Sequence, residues 1–135
     1  MLTVAEVIAD AESVLTGQAT DDDGVDPRWQ AIISVAEFIP DDADQVWEFA
    51  AKWGGVRDSD LQAAVATCLI EHLLEHHFEY LFPRVAEEAK RSAIFASTLR
   101  LCWNFGQAER AENSGALDAL LRELGHTNTG TDLRT

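Results

Sequence analysis

The sequence predicts an all-α fold, a short α-solenoid of antiparallel helix pairs with about seven helices in one domain over residues 1–125. Three observations point there. No segment alternates apolar and polar residues with a period of two, as a half-buried strand would. Apolar residues recur at helical spacing along the chain, and glycine, proline or a capping residue punctuates the pattern. One stretch, Asp58 to Phe82 (DSDLQAAVATCLIEHLLEHHFEYLF), is apolar and long enough to be a central helix.

Thr3 and Glu6 form a capping-box pattern ahead of the stripe Val4, Val7, Ile8, Ala11 and Leu15, which predicts a helix over 3–16 closed by Gly17. Residues 18–25, with Asp21, Asp22 and Asp23, read as a solvated loop. The DDDG run lacks the alternating ligands and closing Glu of a calcium-binding EF-hand loop. Asp26-Pro27 is a cap followed by proline at the first helical position. The second helix then carries Trp29, Ile32, Ile33 and Ala36 to about Phe38 and stops before Pro40. The cluster Asp41, Asp42 and Asp44 is expected to cap a third helix through Val46, Trp47, Phe49, Ala50 and Trp53, ending at Gly54-Gly55. So short a link makes the two antiparallel neighbours.

In the central stretch Ser59 is placed to cap the helix while Gln62 reaches back to it, and Asp58 and Asp60 favour the positive end of the dipole. Leu61, Ala64, Val65, Cys68 and Leu69 fall on one face; Ala63, Ala66, Ile70, Leu73, Leu74 and His77 fall on the other. A helix apolar on two faces is buried on two faces, so this one is the expected spine. Pro83 predicts a break and a new helix, with the proline in its first turn, to about Arg91. Ser92 caps another through Ile94, Phe95, Leu99, Leu101, Cys102 and Trp103, which fades after Asn104-Phe105-Gly106 or continues imperfectly to about Ala111, and Ala116 to Leu124 form the last, closed by Gly125. The polar tail 126–135 is expected to be disordered.

The 135 residues carry 24 acids and 10 bases, a net charge of -14. Residues 1–60 hold 14 of the acids and 3 of the bases, a net of -11. That balance excludes nucleic acid and anionic lipid as expected partners, since both need a basic footprint, and allows a basic protein partner. The basic residues Arg84, Lys90, Arg91 and Arg100 cluster in sequence; they are either a solvated face or a match for the acidic half of a second copy, so a homo-oligomer stays open. The N-terminus lacks a basic n-region and is interrupted by Glu6, Asp10 and Glu12, so no signal peptide is expected. No apolar run reaches the ~20 residues that cross a bilayer. Cys68 and Cys102 lie inside apolar patterns and read as core thiols of a reduced, cytoplasmic protein.

There is a faint internal repeat. Trp29-Gln30-Ala31 stands 32 residues before Leu61-Gln62-Ala63, and Cys102 stands 34 residues after Cys68. A period of this size in paired helices marks helical solenoids. Chiefly through DSDLQAAVATCLIEHLL, the chain resembles the HEAT/armadillo-like class, which implies a stack of helix pairs offering a binding surface. More loosely, EHLLEHHFEYLFPRV with LCWNFGQAE resembles a group of short acidic bacterial proteins over residues 26–110, which implies the same fold and no particular activity.

One motif carries potential chemistry. His72-Leu73-Leu74-Glu75-His76 matches H-x-x-E-H, in which two histidines four apart hold zinc and the Glu serves as base. Cys68 and Glu79, one turn to either side, are possible further ligands. The peptidases that use this motif need a larger α/β domain and a distant acidic ligand, so the plainer expectation is that these histidines bond to Glu or backbone groups at a helix seam. Glu-x-x-His pairs of di-iron bundles are absent, as are a nucleophile with a base at a defined spacing and a glycine-rich phosphate loop. The expected function is a non-catalytic protein-binding module without cofactor. The alternatives are an acidic immunity-type inhibitor of a basic toxin and a metal-dependent hydrolase using His72, Glu75 and His76.

Overall fold

The structure, a computed structural model, describes residues 3–16, 27–103 and 106–129, with side chains as far as 124. All regular structure among them is helical. The elements are α1 (Val4–Thr16), α2 (Pro27–Ala36), α3 (Ala43–Gly54), α4 (Ser59–Val65), a π-helical turn (Ala66–Ile70), α5 (Glu71–Arg91), α6 (Ala93–Leu99), a short 3-10 turn (Gly106–Glu109) and α7 (Ala111–Thr129). Because α4, the π turn and α5 follow one another without a gap, they form one rod, and the separate α-helices among the described residues number six where about seven were expected. No helix among the described residues is long and apolar enough to cross a membrane.

The rod is the spine. Val65, Ala66, Leu69, Ile70 and Leu73 all have no solvent exposure, so both apolar faces of the stretch are covered. The rod packs against α2 and α3, and also against α6, α7 and the 3-10 turn. Helices α1 and α2 form a pair, and α1 buries the stripe Val4, Val7, Ala11 and Leu15. Both bonds of its capping box are made: Thr3 N–H to Glu6 Oε1 at 2.9 Å and Glu6 N–H to Thr3 Oγ1 at 3.2 Å. Trp47 of α3 meets Phe95 of α6 edge-on, with centroids 5.6 Å apart. The two helices come this close because position 54 is glycine; a Cβ there would lie 3.2 Å from the Phe95 ring.

Several element ends differ from expectation. The rod is capped by Asp58, whose carboxylate accepts the Leu61 N–H, and not by Ser59. Gln62 does not reach back; its amide donates to the Ile94 carbonyl and to Thr98 Oγ1, tying the rod to α6. Asp42 stands at the N-terminus of α3 without a side-chain cap, so the acidic cluster does not close that end by hydrogen bonding. Ser92 does cap α6, accepting from Phe95 N–H at 3.1 Å, but the helix stops at Leu99, short of the expected end after 104–106 or near Ala111. Helix α7 starts at Ala111, five residues before Ala116, and runs through Gly125 to Thr129. Gly17, the 18–25 loop, the Asp26 cap and the tail beyond Thr129 lie outside the described residues.

The expected break at Pro83 is absent, since α5 runs through the proline. Helical geometry is lost instead at His77, with φ -138° and ψ 41°. Sharp kinks arise where a proline sits or where a side chain enters the backbone ladder. Here the entering side chain decides the place.

Candidate functional site

The spine has two irregularities, and a single segment fills both. The first is the π turn. One extra residue in a turn makes Glu71 N–H bond to the Ala66 carbonyl, five residues back. The Cys102 thiol donates to the same carbonyl, with sulfur 3.5 Å away. At the end of the turn Glu71 is only 6% exposed, and its Oε2 accepts the Trp103 N–H at 2.9 Å. A buried carboxylate is costly without a donor, and this main-chain group supplies one.

The second irregularity is the kink at His77. Gln107 spans it as a peptide group would: its Oε1 accepts Phe78 N–H at 2.9 Å and its Nε2 donates to the His76 carbonyl at 3.0 Å. The neighbouring Gly106 has φ +53°, and a Cβ there would come within 2.5 Å of Glu75 Cγ and 2.9 Å of the Glu75 carbonyl. Both the left-handed backbone and the close approach require glycine. Residues 102, 103, 106 and 107 are therefore fastened to the spine at successive points.

From this anchored segment the Trp103 side chain projects outward, 74% exposed, beside Leu101 at 46%. A small cavity of about 180 Å³ lies against it, lined by Leu74, Leu99, Cys102, Leu117, Leu121 and Asp118. Arg100 braces its rim by donating to the Leu121 carbonyl at 3.1 Å. A large exposed aromatic side chain held by a fixed backbone is the type of group that anchors protein interfaces.

Both thiols are free and half-buried. Burial raises the Cys68 thiol above its usual value; a hydrogen bond with Thr67 opposes this and the Glu71 charge adds to it. Burial, with the same carboxylate, pushes Cys102 up much further. A nucleophilic cysteine needs the opposite surroundings.

The H-x-x-E-H stretch lies on α5 beside a groove of about 340 Å³ lined by Ile33, Ala36, Glu37, Ile39, Pro40, His72 and His76. Glu75 Oε1 is hydrogen-bonded to His72 Nδ1 at 2.9 Å, and His76 Nε2 lies 3.6 Å from the same oxygen, beyond hydrogen-bond distance. His77 turns elsewhere and bonds the Ile39 carbonyl at 3.1 Å. Of the bonds expected at a helix seam, His72 makes one to Glu75 and His77 one to a backbone carbonyl, whereas His72 and His76 are exposed on the groove. Cys68 lies within the π turn, which breaks the four-residue register linking it to His72, and its sulfur faces Thr67 Oγ1 at 3.9 Å. Among the described residues no group of three His, Cys, Asp or Glu side chains is placed to hold a metal ion.

Charged groups complete the surface. Arg28 pairs with Asp58 at 3.0 Å and Asp60 at 3.2 Å, and Trp29 Nε1 also donates to Asp60. The Leu61 N–H and then the Arg28 side chain hold the Asp58 carboxyl below the usual value. Lys52 Nζ lies 2.8 Å from Glu12 Oε2, and this bond lowers the Glu12 value against the opposing effect of burial. The expected basic cluster is engaged within the chain: Arg84 with Asp44 at 3.0 Å, Lys90 with Glu123 at 3.8 Å, Arg91 with Glu88, and Arg100 with the Leu121 carbonyl.

No family model, curated protein or solved structure matches the chain.

Proposed function

We propose that the chain is a non-catalytic protein-binding module, a short solenoid-like stack of helix pairs whose contact point is Trp103. The observation that supports this is the 74% exposure of a tryptophan whose own backbone is held by Glu71 and whose neighbours Cys102 and Gln107 are fastened to the spine. Ordering a side chain on binding costs free energy, and a fixed backbone with only two side-chain torsions keeps that cost small. The hydrolase reading has less support, because the carboxylate that would act as base is occupied by His72. The acidic-inhibitor reading is a narrower form of the binding reading, favoured by the net charge of -11 in residues 1–60.

The test is capture of partners from the source cell by the wild-type chain and by Trp103→Ala. An exposed residue is removed, so the melting temperature should hold within about 2 °C. The proposal expects a partner captured by the wild type and lost with Trp103→Ala. Equal recovery with both proteins would overturn it.

A further inference from the structure

The surface around Trp103 is complementary to itself. Trp103 stands out as a knob, and the cavity of about 180 Å³ beside it is a hole lined by Leu74, Leu99, Cys102, Leu117 and Leu121. That space is smaller than the roughly 300–1,000 Å³ of small-molecule sites and suits one large side chain. A knob and a hole side by side on one face match a second copy of that face, because in a twofold contact each copy fills the other's hole. Leu101, itself exposed, widens the apolar patch.

The stripe of α7 that borders the cavity points the same way. Asp118 on the rim and Arg122 one turn further on are both exposed, and neither forms an ion pair among the described residues. In an antiparallel crossing of two α7 helices, Asp118 of each copy comes opposite Arg122 of the other. Gly115, three residues before Asp118 on the same stripe, is exposed inside the helix, and a Cβ there would meet no neighbouring group within 4 Å. Nothing in its own chain requires glycine at this position, where alanine would make a stronger helix. The close approach of a second helix gives the missing side chain a use.

The charge balance favours a second copy on this face. Residues 84–124 hold six bases and six acids, so the net charge of -14 lies on the rest of the chain. Two copies repel over their other surfaces and not over this one. We infer that two copies of the chain dimerise through this face about a twofold axis, Trp103 of each entering the cavity of the other and Asp118 of each pairing with Arg122 of the other. This rests on the protein-binding reading and names the partner of the Trp103 surface. Apolar insertion supplies the affinity, and the two charge pairs fix the register.

Sedimentation velocity of the full chain over a concentration series reads the association directly. The wild type should move from the chain mass of 14.9 kDa toward twice that mass as concentration rises. Trp103→Ala should weaken association at least tenfold. Gly115→Gln, helix-compatible and with open space in its own chain, should do the same, while its melting temperature under conditions where the wild type is monomeric holds or rises. Asp118→Arg and Arg122→Asp should each weaken association several-fold, and the double variant should restore it, because the swap exchanges the charges across the axis. Circular dichroism establishes that each variant folds. A wild type monomeric at every concentration, a dimer indifferent to Trp103→Ala and Gly115→Gln, or a double variant no better than the single ones would each overturn the inference. A monomeric wild type that captured a different protein through Trp103 would overturn the inference alone. A Trp103→Ala variant that dimerised and captured partners as the wild type does would overturn the protein-binding reading with it.

Discussion

Replacing Gln107 by Ala removes one side chain and two hydrogen bonds at the kink in the spine. The bond from Phe78 N–H to Oε1 is partly buried, and the bond from Nε2 to the His76 carbonyl is exposed. A partly buried main-chain N–H left without a partner costs about 1–1.5 kcal/mol, and an exposed carbonyl that water can reach costs about 0.5 kcal/mol. The sum is about 1.5–2 kcal/mol. In a chain of this length each kcal/mol lowers the melting temperature by about 3–5 °C, so Gln107→Ala should melt about 5–10 °C below the parent. Gln107→Glu keeps the acceptor for Phe78 N–H and loses only the donor, so it should fall between the two. Urea unfolding followed by circular dichroism gives the free energies, and hydrogen exchange at the Phe78 amide gives the local effect. If Gln107→Ala unfolds with the parent midpoint and Phe78 exchanges no faster, the idea that this amide holds the kink is wrong.

The other predictions concern the spine, its cap and the histidines. Leu69→Ala and Leu73→Ala each empty a position with no exposure and should cost about 2–5 kcal/mol; denaturant midpoints equal to the parent for both would contradict the doubly buried rod. Asp58→Ala removes the cap and the Arg28 pair and should cost about 1–2 kcal/mol, whereas Asp58→Asn should retain most of the cap. The folded protein holds the Asp58 carboxyl below its ordinary unfolded value, so its stabilisation is complete above that ordinary value and is lost as pH falls through the lower folded one. A melting-temperature difference between parent and Asp58→Asn that failed to narrow at acid pH would refute that. Zinc at micromolar levels should not raise the melting temperature. A native-state site at a hundredfold excess over its Kd would add about 2.7 kcal/mol, and such a shift, lost in His76→Gln, would restore the hydrolase reading.

The helical class and the spine were legible because they depend on local spacing. The stripes of α1 and of Asp58–Phe82 contain the residues that are buried, including Leu61, Leu69 and Leu73. Local propensity could not locate the kink. Pro83 is a strong local signal, yet helical geometry breaks at His77, where a side chain 30 residues away enters the ladder. The cap at Asp58 was masked by Ser59, an equally good capping residue next to it. The residues Leu101, Cys102 and Trp103 read as a helix tail because all three are apolar. Their actual role depends on a carboxylate distant in sequence. One signal was present: Glu71 stands inside the apolar run CLIEHLL, and a charge in such a run needs a buried donor. Nothing in the chain names that donor as the Trp103 amide. The H-x-x-E-H motif shows the reverse case, a legible chemical pattern whose carboxylate is occupied by its own histidine.

Trp103 is the proposed contact point for a partner. Its most direct test places a photoreactive phenylalanine analogue at position 103 and, as a control, at the exposed Val56, then irradiates intact source cells. A discrete cross-linked protein is expected from position 103 and none from position 56. No adduct from position 103, or the same adducts from both positions, would contradict it.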